Sequence, residues 1–588
     1  MSDQNSDAPT QELPKDQAAA KGMVNVQIDG HWIQVPKGTR MIEACKIAEK
    51  EVPHYCYHPK LSSPGNCRMC LVQMGMPPRL APGQDPEFNE EGYQEIGWMP
   101  RPVIACANTV AENMGIRTKG DLVEKTRNGV MEFLLINHPL DCPICDQAGE
   151  CRLQEFSVDH GSGTSRFKET KVKKPKNVDI GERIRLDDER CIMCSRCIRF
   201  MEEVADDPVL GFADRGTHTT LTVHPGQRLD HNYSLNTADL CPVGALTSTD
   251  FRFQQRVWFL KETQSIDVNC GTGINTTIWT REGRVYRITP RQNDAVNSCW
   301  MPDSHRLNFH YIDADARLNE VLIKDDNGVH QTGTWADAMS AFAARIKEFE
   351  PNQVAIIASG RQTNEELWMS GALAGQIGTE FFDIVPRTGE NDGFLIAADR
   401  NPNTNGAKLV GGIENPGSKL DEIKNGLESG QIKALIILGE DVFGDAGWGH
   451  DTLAGVKFLL TTQISANATG QSADIVLPAA AFTEKRGTMI NVTGRLQKLN
   501  QASPLPGDAH DDWEIFRDLT VSLLETKPEG IPYLLEDVFK GIAESVEEFA
   551  GLTLSKVRPD GLQILETGVT IPLLEREKER IANREIVG

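Results

Sequence analysis

The sequence lacks long hydrophobic runs and an excess of positive charge. No stretch approaches the roughly 18 consecutive apolar residues of a membrane-spanning helix, so we expect membrane attachment only through a partner. Lys and Arg total 61 against 84 Asp and Glu, which gives a formal net charge of −23. Because nucleic-acid binding requires clustered cations, this balance argues against a nucleic-acid-binding protein.

No signal peptide is expected from the first residues of the sequence, and the distribution of cysteine is uneven. Residues 1–22 are polar, without the charged region and apolar run of a secretory signal, and we expect a disordered tail there. All 14 cysteines lie between Cys45 and Cys299, so none follows in the second half of the chain. CxxC repeats in a chain of 588 residues indicate metal sites in a reducing compartment rather than disulfides.

Strand and helix patterns divide the chain into a β-rich beginning and an α/β end. Residues 24–28 and 32–35 alternate around an Asp-Gly turn, which predicts a β-hairpin, and Thr39 is expected to cap the helix that follows. From about residue 334, apolar strands alternate with helical segments. This pattern predicts an α/β domain with a mostly parallel sheet.

The first group of spaced cysteines is Cys56-x10-Cys67-x2-Cys70, closed by Cys106. Plant-type [2Fe–2S] ferredoxins have the pattern C-x4-C-x2-C…C, so the first gap is longer here. Zinc is the alternative, although zinc sites usually have paired CxxC units. We predict a [2Fe–2S] cluster in a ferredoxin-type β-grasp domain, and we expect Cys45, on the apolar face of its helix, to be a buried core thiol.

The second group is His138-x3-Cys142-x2-Cys145-x5-Cys151. Four donors within fourteen residues suit a [4Fe–4S] cluster in which one thiolate is replaced by imidazole. Such a replacement removes negative charge and is expected to raise the reduction potential, as it does in Rieske centres. Zinc on three thiolates and one imidazole is the serious alternative.

The third group is Cys191-x2-Cys194-x2-Cys197, closed by Cys241, which a proline follows. Two-cluster bacterial ferredoxins run C-x2-C-x2-C-x3-C-P, and the fourth cysteine of each run binds the other cluster. The spacing therefore predicts one all-cysteine [4Fe–4S] cluster and the loss of the other. The positions of the lost ligands hold non-cysteine residues, namely Met201, His231, Ser234 and Thr237.

These segments closely resemble the large iron–sulfur subunit of NADH:quinone oxidoreductase, respiratory complex I, over roughly residues 24–320. The resemblance is carried by VPHYCYHPKLSSPGNCRMCLV, NHPLDCPICDQAGECRLQE, RCIMCSRCIRFMEEV and LCPVGALT. It implies one [2Fe–2S] and two [4Fe–4S] clusters in the order given above, each on the four residues of its group. The gap from Cys70 to Cys106 is well over twice the usual length, so residues 75–102 are expected to be a surface insert.

The C-terminal region is similar, more loosely, to molybdopterin oxidoreductases. The best-matching segment is ADIVLPAAAFTEKRGTMINVTGRLQ, residues 473–497. In the complex I subunit this domain is a structural relic. Here no cysteine follows Cys299, so a thiolate ligand is missing and no molybdenum is expected; a serine or aspartate ligand is the alternative that the sequence leaves open. Glycine-containing turns after two strands, at 358–360 and 438–440, are weak nucleotide signals, and we favour a structural role for them.

A further segment, VNCGTGINTTIW, resembles the middle of an additional cluster motif, C-x2-C-x3-C-x27-C, of some bacterial relatives. Its four ligand positions here hold Asp267, Cys270, Ile274 and Pro302. Ile and Pro offer no donor atom, so we expect no cluster. Cys270 is expected to be a small buried residue, and Cys299 an ordinary thiol.

We therefore predict a multidomain α+β and α/β protein. The predicted domains are a disordered tail (1–22), a [2Fe–2S] ferredoxin-type domain (23–112), a His-ligated [4Fe–4S] domain (113–165), an all-cysteine [4Fe–4S] ferredoxin-like domain (178–250), a β-rich domain with a degenerate cluster site (264–320) and a truncated molybdopterin-oxidoreductase-like α/β domain (321–588).

The resemblance implies an electron-transfer subunit of the peripheral arm, with no acid–base or nucleophilic catalytic residue of its own. It would carry electrons from the FMN/NADH module toward quinone, in a complex that couples this transfer to proton translocation. Expected partners are the FMN/NADH-binding subunit, a small [2Fe–2S] subunit, a two-cluster ferredoxin-like subunit and the quinone-site subunits, on the cytoplasmic face of a bacterial inner membrane. Alternatives are the α subunit of a soluble NAD-linked formate dehydrogenase and the diaphorase module of a hydrogenase.

Overall fold

The computed structural model describes residues 22–79, 85, 87–88, 90, 92–525 and 530–587. The predicted tail at 1–22 therefore lies almost wholly outside the described residues. The chain divides into two compact units, Met1–Trp258 and Phe259–Gly588. Their boundary falls in the gap that the sequence leaves between the third cysteine group and the following β-rich segment.

The first unit begins with a mixed sheet that packs against a short helix. The predicted hairpin pairs Met23–Ile28 with His31–Pro36, and Met23–Ile28 also pairs in parallel with Met114–Arg117. The helix spans Met41–Ile47, and its buried face, which includes the fully buried Cys45, packs into the core of the sheet. In spatial order the strands are His31–Pro36, Met23–Ile28, Met114–Arg117, Leu71–Met76 and Gly97–Trp98, with Val103–Ile104 paired to Leu71–Met76.

Two details of this sheet differ from the sequence-based expectation. Thr39 does not cap the helix: the N-cap residue is Arg40, and the Thr39 hydroxyl instead donates to the Pro36 carbonyl at 2.7 Å. The predicted insert is also not wholly peripheral, because Gly97–Trp98 pairs with the end of Leu71–Met76. Residues 80–84, 86, 89 and 91 of the insert lie outside the described residues.

The rest of the first unit consists of short elements joined by long loops. Its helices are Asp121–Ile136, Arg152–His160, Arg196–Glu203 and Asn236–Leu240. A small antiparallel sheet contains Val178–Asp179, Ile184–Leu186 and Leu246–Ser248, and a two-stranded ribbon pairs Leu210–Ala213 with Thr220–Val223. These elements are too short to enclose a large apolar core by themselves, and the cysteine-containing loops lie between them.

A seven-stranded sheet organises the second unit. Five adjacent strands are parallel, which confirms the predicted α/β arrangement, and two antiparallel strands complete one edge. The spatial order is His330–Gly333, Val321–Lys324, Ile475–Pro478, Phe458–Gln463, Ala434–Leu438, Val354–Ala358 and Phe381–Ile384.

This sheet is buried on both faces, because successive residues of its central strands enter different cores. Val354 and Ile356 belong to one hydrophobic cluster, whereas Ala355 and Ile357 belong to another. Parallel strands covered on both sides are nearly continuously apolar, as these are. The helices of this unit are Asp303–Arg306, Trp335–Ile346, Asn364–Ile377, Thr404–Leu409, Leu420–Glu428, His450–Leu453, Ala468–Ser472, Asp512–Ser522, Leu535–Ser545 and Pro572–Val587.

Two smaller antiparallel sheets complete the second unit. One contains Lys261–Ile266, Asn275–Arg281 and Arg284–Pro290, and the other Gly487–Ile490, Arg495–Leu499 and Leu562–Gln563. Among the helices that the structure describes, none is long and apolar enough to span a membrane.

Candidate metal centres

The structure brings the four cysteines of the first group together in the interior of the first unit. The thiols of Cys56 and Cys67 are in hydrogen-bond contact, and Cys106 contacts both Cys56 and Cys70. The loop that carries Cys67 turns through the left-handed region at Arg68, where φ is 60°. We refer to these four residues as the first site.

The second site, formed by His138, Cys142, Cys145 and Cys151, comes from one segment of the chain, which includes a short 3-10 helix at Cys142–Ile144. Backbone N–H groups at the start of the helix Arg152–His160 donate to the Cys151 sulfur, and another donates to Cys145. Burial lowers the pKa of His138 to about 4, which keeps its imidazole in the neutral form that binds metals.

The third site, formed by Cys191, Cys194, Cys197 and Cys241, surrounds a single cavity. The other residues that line the cavity are mostly apolar, among them Phe212, Leu221 and Val243. The loop between the first two ligands turns through the left-handed region at Met193, where φ is 54°. The Met193 N–H points back to the Cys191 sulfur at 3.4 Å.

The positions of the lost ferredoxin cluster are filled by protein. Met201 is fully buried, and so are Ser234 and Thr237. The Thr237 hydroxyl donates to the Ser234 carbonyl at 2.7 Å. Packing and local hydrogen bonds thus replace the ligands that a second cluster would need at this place.

The donor chemistry of the three sites fits iron–sulfur clusters. Eleven thiols and one imidazole are grouped in fours, and backbone N–H groups donate to several of the sulfurs, a contact that tunes cluster potentials. Burial raises the pKa of Cys151 and of Cys194 to about 11. At neutral pH these thiols therefore stay protonated until a metal takes the place of the protons, and thiolates then form.

Two arginines, the buried Arg199 and the half-buried Arg196, connect the first and third sites, and sequence reasoning missed both. Arg199 donates to the carbonyl of Cys56 at 2.6 Å and to that of Cys194 at 3.5 Å. Arg196 donates to the Tyr57 and Leu240 carbonyls. The sequence could have pointed to both arginines in one way: they stand beside ligands of the third group, on a helix whose inner face is otherwise apolar.

The second and third sites are in contact through the Cys-Pro loop of the third. The N–H of Arg152, next to Cys151, donates to the Pro242 carbonyl at 3.2 Å. Gly244 lies so close to the second site that a Cβ atom there would come within 2.4 Å of the Cys145 sulfur. The third site therefore has contacts with both of the others.

One hydrophobic cluster contains cysteines of all three sites. Its apolar members include Tyr55, Met131 and Phe156, and the Tyr55 and Phe156 rings meet edge to face at 5.4 Å between centroids. Charged side chains outside this cluster balance the second site: Arg190 pairs with Asp141 at 3.0 Å. Cysteines of all three sites thus share one apolar cluster, and a largely buried ion pair lies beside the second site.

The degenerate cluster motif lies in the second unit. Cys270 is fully buried, as predicted, and so is Ile274. Asp267 contacts His305, a residue that sequence reasoning did not connect with this motif. Because 38 positions separate the two residues, no local pattern in the sequence predicts their contact.

The two glycine-containing turns after strands of the large sheet are in contact with the protein's own side chains. A Cβ atom at Gly360 would come within 2.4 Å of the Asn401 side chain. After the strand Ala434–Leu438, Glu440 forms an ion pair with Arg387, which also pairs with Asp445 at 2.7 Å. These contacts favour the structural role that we expected for both turns.

Five family descriptions match successive parts of the chain. They are "2Fe-2S iron-sulfur cluster binding domain" (21–121), "NADH-ubiquinone oxidoreductase-G iron-sulfur binding region" (127–166), "NADH-quinone oxidoreductase subunit 3, ferredoxin-like domain" (181–247), "NADH-ubiquinone oxidoreductase NDSU1/NuoG-like, 4Fe-4S domain" (260–310) and "Molybdopterin oxidoreductase" (387–521). Their order confirms the predicted fold classes and shows that the chain has iron–sulfur binding domains of both types.

Curated relatives match most of the chain. The G-type subunit of NADH-quinone oxidoreductase of Rickettsia conorii is 31% identical over 84% of this chain and 87% of its own length. The 78 kDa subunit of NADH-ubiquinone oxidoreductase of Neurospora crassa is 30% identical over 96% of this chain and 88% of its own. A solved NAD+-reducing [NiFe]-hydrogenase chain is 26% identical over 40% of this chain and 91% of its own, but its TM-score of 0.33 supports no argument about fold.

Proposed function

The chain belongs to the family of G-type subunits of NADH-quinone oxidoreductase, and from this we propose that it is the subunit that conducts electrons from the NADH-oxidising module toward quinone. The extent of the similarity favours this function over the formate dehydrogenase and hydrogenase alternatives. The single observation that carries the proposal is the shared interior that contains cysteines of all three sites.

The proposed ligand sets are those of the three sites. The first site would hold a [2Fe–2S] cluster, and the second and third would each hold a [4Fe–4S] cluster. When bound, such clusters accept and release single electrons at potentials that their surroundings set. The proposed ligands are Cys56, Cys67, Cys70 and Cys106, then His138, Cys142, Cys145 and Cys151, and then Cys191, Cys194, Cys197 and Cys241.

The residues around these ligands have three roles in the proposal. Tyr55, Met131 and Phe156 exclude water from the space that the sites share. Arg196 and Arg199 bring positive charge to the first and third sites, which favours the reduced, more negative state of a cluster. His138 contributes a neutral donor, so the second site carries less negative charge than an all-thiolate site would.

We infer that the third site is the middle one of the three. Arg199 links its Cys194 loop to the Cys56 loop of the first site, and the Pro242–Gly244 segment contacts the second site. An electron that enters at the first site would then pass through the third on its way to the second.

The partners follow from this role. Other subunits of NADH-quinone oxidoreductase are expected around the chain, and we propose an FMN/NADH-binding subunit and a small [2Fe–2S] subunit on the side where electrons arrive. A two-cluster ferredoxin-like subunit and the quinone-site subunits would receive the electrons. We further propose a peripheral position on the cytoplasmic face of the membrane, and no molybdenum in the C-terminal domain.

The test is to replace Cys194 by alanine in the assembled complex, with Cys45→Ala as the matched control. Both thiols are buried in the first unit, but only Cys194 belongs to a proposed site. We expect Cys194→Ala to lose about four iron atoms per chain and at least about 100-fold in NADH-to-quinone electron transfer. NADH oxidation by a small water-soluble acceptor, which does not require this chain, should persist, and Cys45→Ala should retain both activities. Full quinone reduction in a Cys194→Ala complex that lacks this iron would contradict the proposed path.

A further inference from the structure

Three side chains that commonly bind metals meet in the second unit, outside the three proposed cluster sites. They are Asp267, Cys270 and His305, and one potential ligand atom from each lies within 4.8 Å of the others. Asp267 follows the strand Lys261–Ile266, and Cys270 lies in the loop that leads to Asn275–Arg281. His305 comes from the short helix Asp303–Arg306.

All three side chains are buried, which separates them from ordinary surface acidic groups. Asp267 is 3% exposed, Cys270 0% and His305 8%. Polar and ionisable groups are seldom placed in the interior without partners or a bound ion. An aspartate and a histidine could be explained as an ion pair alone, and the thiol beside them makes a long contact, at 3.8 Å, with the Leu395 carbonyl.

Neighbouring groups orient the Asp267 carboxylate so that one of its oxygens can bind a metal ion. The Asn269 side-chain amide and backbone N–H donate to Oδ1 of Asp267, and Oδ2 faces Nδ1 of His305 at 2.7 Å. The same amide also reaches the His305 carbonyl at 3.4 Å, so it holds the two ligands in register. Hydrogen bonds of this kind, behind the direct ligands, position the donors of metal sites.

The number and type of donors decide which metal species could bind. Ile274 and Pro302 occupy the other positions of the cluster motif and offer no donor, so the four ligands of a cubane cluster are absent there. One thiolate, one imidazole and one carboxylate with an open fourth position form a set that suits a single zinc ion. A divalent cation would also balance the charges of the thiolate and the carboxylate, which makes burial of the group favourable.

We propose that Asp267, Cys270 and His305 bind one zinc ion, in the place where the cluster motif has lost its ligands. Binding replaces the thiol proton of Cys270, which passes to solvent, and it requires the carboxylate and the neutral imidazole as the other two ligands. The ion ties the loop after Lys261–Ile266 to the helix Asp303–Arg306. The proposal does not rest on the proposed electron transfer.

The test uses the full chain, purified anaerobically, with Cys270→Ala as the variant and Cys45→Ala as the matched control. Cys45 is an equally buried thiol without metal-binding neighbours among the described residues. We expect about one zinc per chain in the wild type and in Cys45→Ala, and a loss of at least about tenfold in Cys270→Ala. Iron content should stay unchanged in all three proteins, which separates this result from a failure of the electron-transfer proposal.

X-ray absorption at the zinc edge identifies the site that the ion occupies. One sulfur at about 2.3 Å, with nitrogen and oxygen at about 2.0–2.2 Å, is the expected environment. If Cys270→Ala does not fold, Cys270→Ser keeps the size of the side chain and serves for the same measurement. A wild-type chain without zinc, zinc that survives the loss of Cys270, or zinc bound by three or four sulfurs would each overturn the proposal.

Discussion

Residues up to Trp258 and residues from Phe259 onward bury very different side chains. In the first unit, one hydrophobic cluster combines apolar side chains with cysteines of all three proposed sites. In the second, strands such as Val354–Ala358 and Ala434–Leu438 supply apolar side chains to cores on both faces of a large sheet. From this comparison we expect the part of the first unit around these cysteines to depend for its fold on what their sulfur atoms bind, whereas the N-terminal sheet and the second unit depend on apolar burial.

Removal of iron is the largest perturbation that distinguishes the two units. We expect anaerobic chelation to open the first unit, because metal binding and folding are coupled when ligands form part of the core. Hydrogen–deuterium exchange of the full chain should show lost protection at Arg196–Glu203 and retained protection at Val354–Ala358 and Ala434–Leu438. Simultaneous loss of protection in both units would contradict the comparison.

Replacement of His138 should affect one site within the first unit. His138→Ala removes a proposed ligand, and we expect the second site to lose about four iron atoms. His138→Cys should retain them at a lower reduction potential, because the new thiolate adds negative charge. His160→Ala, a change to a half-buried histidine outside the proposed sites, is the control. An unchanged electron paramagnetic resonance signal from the second site in His138→Ala would refute the assignment.

Replacement of Arg199 should change potentials without removing iron. Arg199→Met withdraws a buried cation from the first and third sites and leaves the Cys56, Ser62 and Cys194 carbonyls without this donor. Both reduction potentials should fall, and the free energy of unfolding should drop by about 2 kcal/mol. Redox titration is the measurement. Arg228→Met, whose ion pairs are exposed, should change neither quantity appreciably.

The last prediction concerns the second unit and pH. Burial raises the pKa of Glu365 to about 7, so between its unfolded pKa and pH 7 the folded state holds a proton that the unfolded state has lost. The stability of this unit should therefore fall as pH rises through that window, by at most about 1.4 kcal/mol per pH unit. Glu365→Gln should flatten this slope, because an amide does not titrate, and the variant should still fold because the amide can pair with the Thr488 N–H and hydroxyl. Denaturant unfolding at several pH values tests this, and an unchanged slope would show that Glu365 does not cause it.

The sequence predicts the structure best where metal ligands require a fixed spacing or where burial requires a fixed pattern of apolar residues. The spacing of the cysteine groups predicted three sets of donors, of which the structure gathers the first and third from distant segments and takes the second from one segment. The apolar runs predicted the parallel strands of the large sheet. Thr39 shows the weakness of local signals: its hydroxyl donates to the Pro36 carbonyl, and the N-cap position falls one residue later, at Arg40.

Tertiary contacts between distant segments were beyond the sequence. Nothing local predicts that Arg199 reaches the carbonyl of Cys56, 143 positions away. The meeting of His305 with Asp267 and Cys270 likewise depends on how a loop and a short helix pack together. The finer domain boundaries and the twelve proposed ligands remain predictions.

The central claim, that three clusters occupy the three sites, is tested most directly by Mössbauer spectroscopy combined with iron analysis of the full chain after anaerobic purification. The account predicts about ten iron atoms per chain, of which about one fifth belong to a binuclear cluster and the rest to tetranuclear clusters. A chain with zinc on three or four sulfurs at any of the three sites, or with iron for only two clusters, would contradict it.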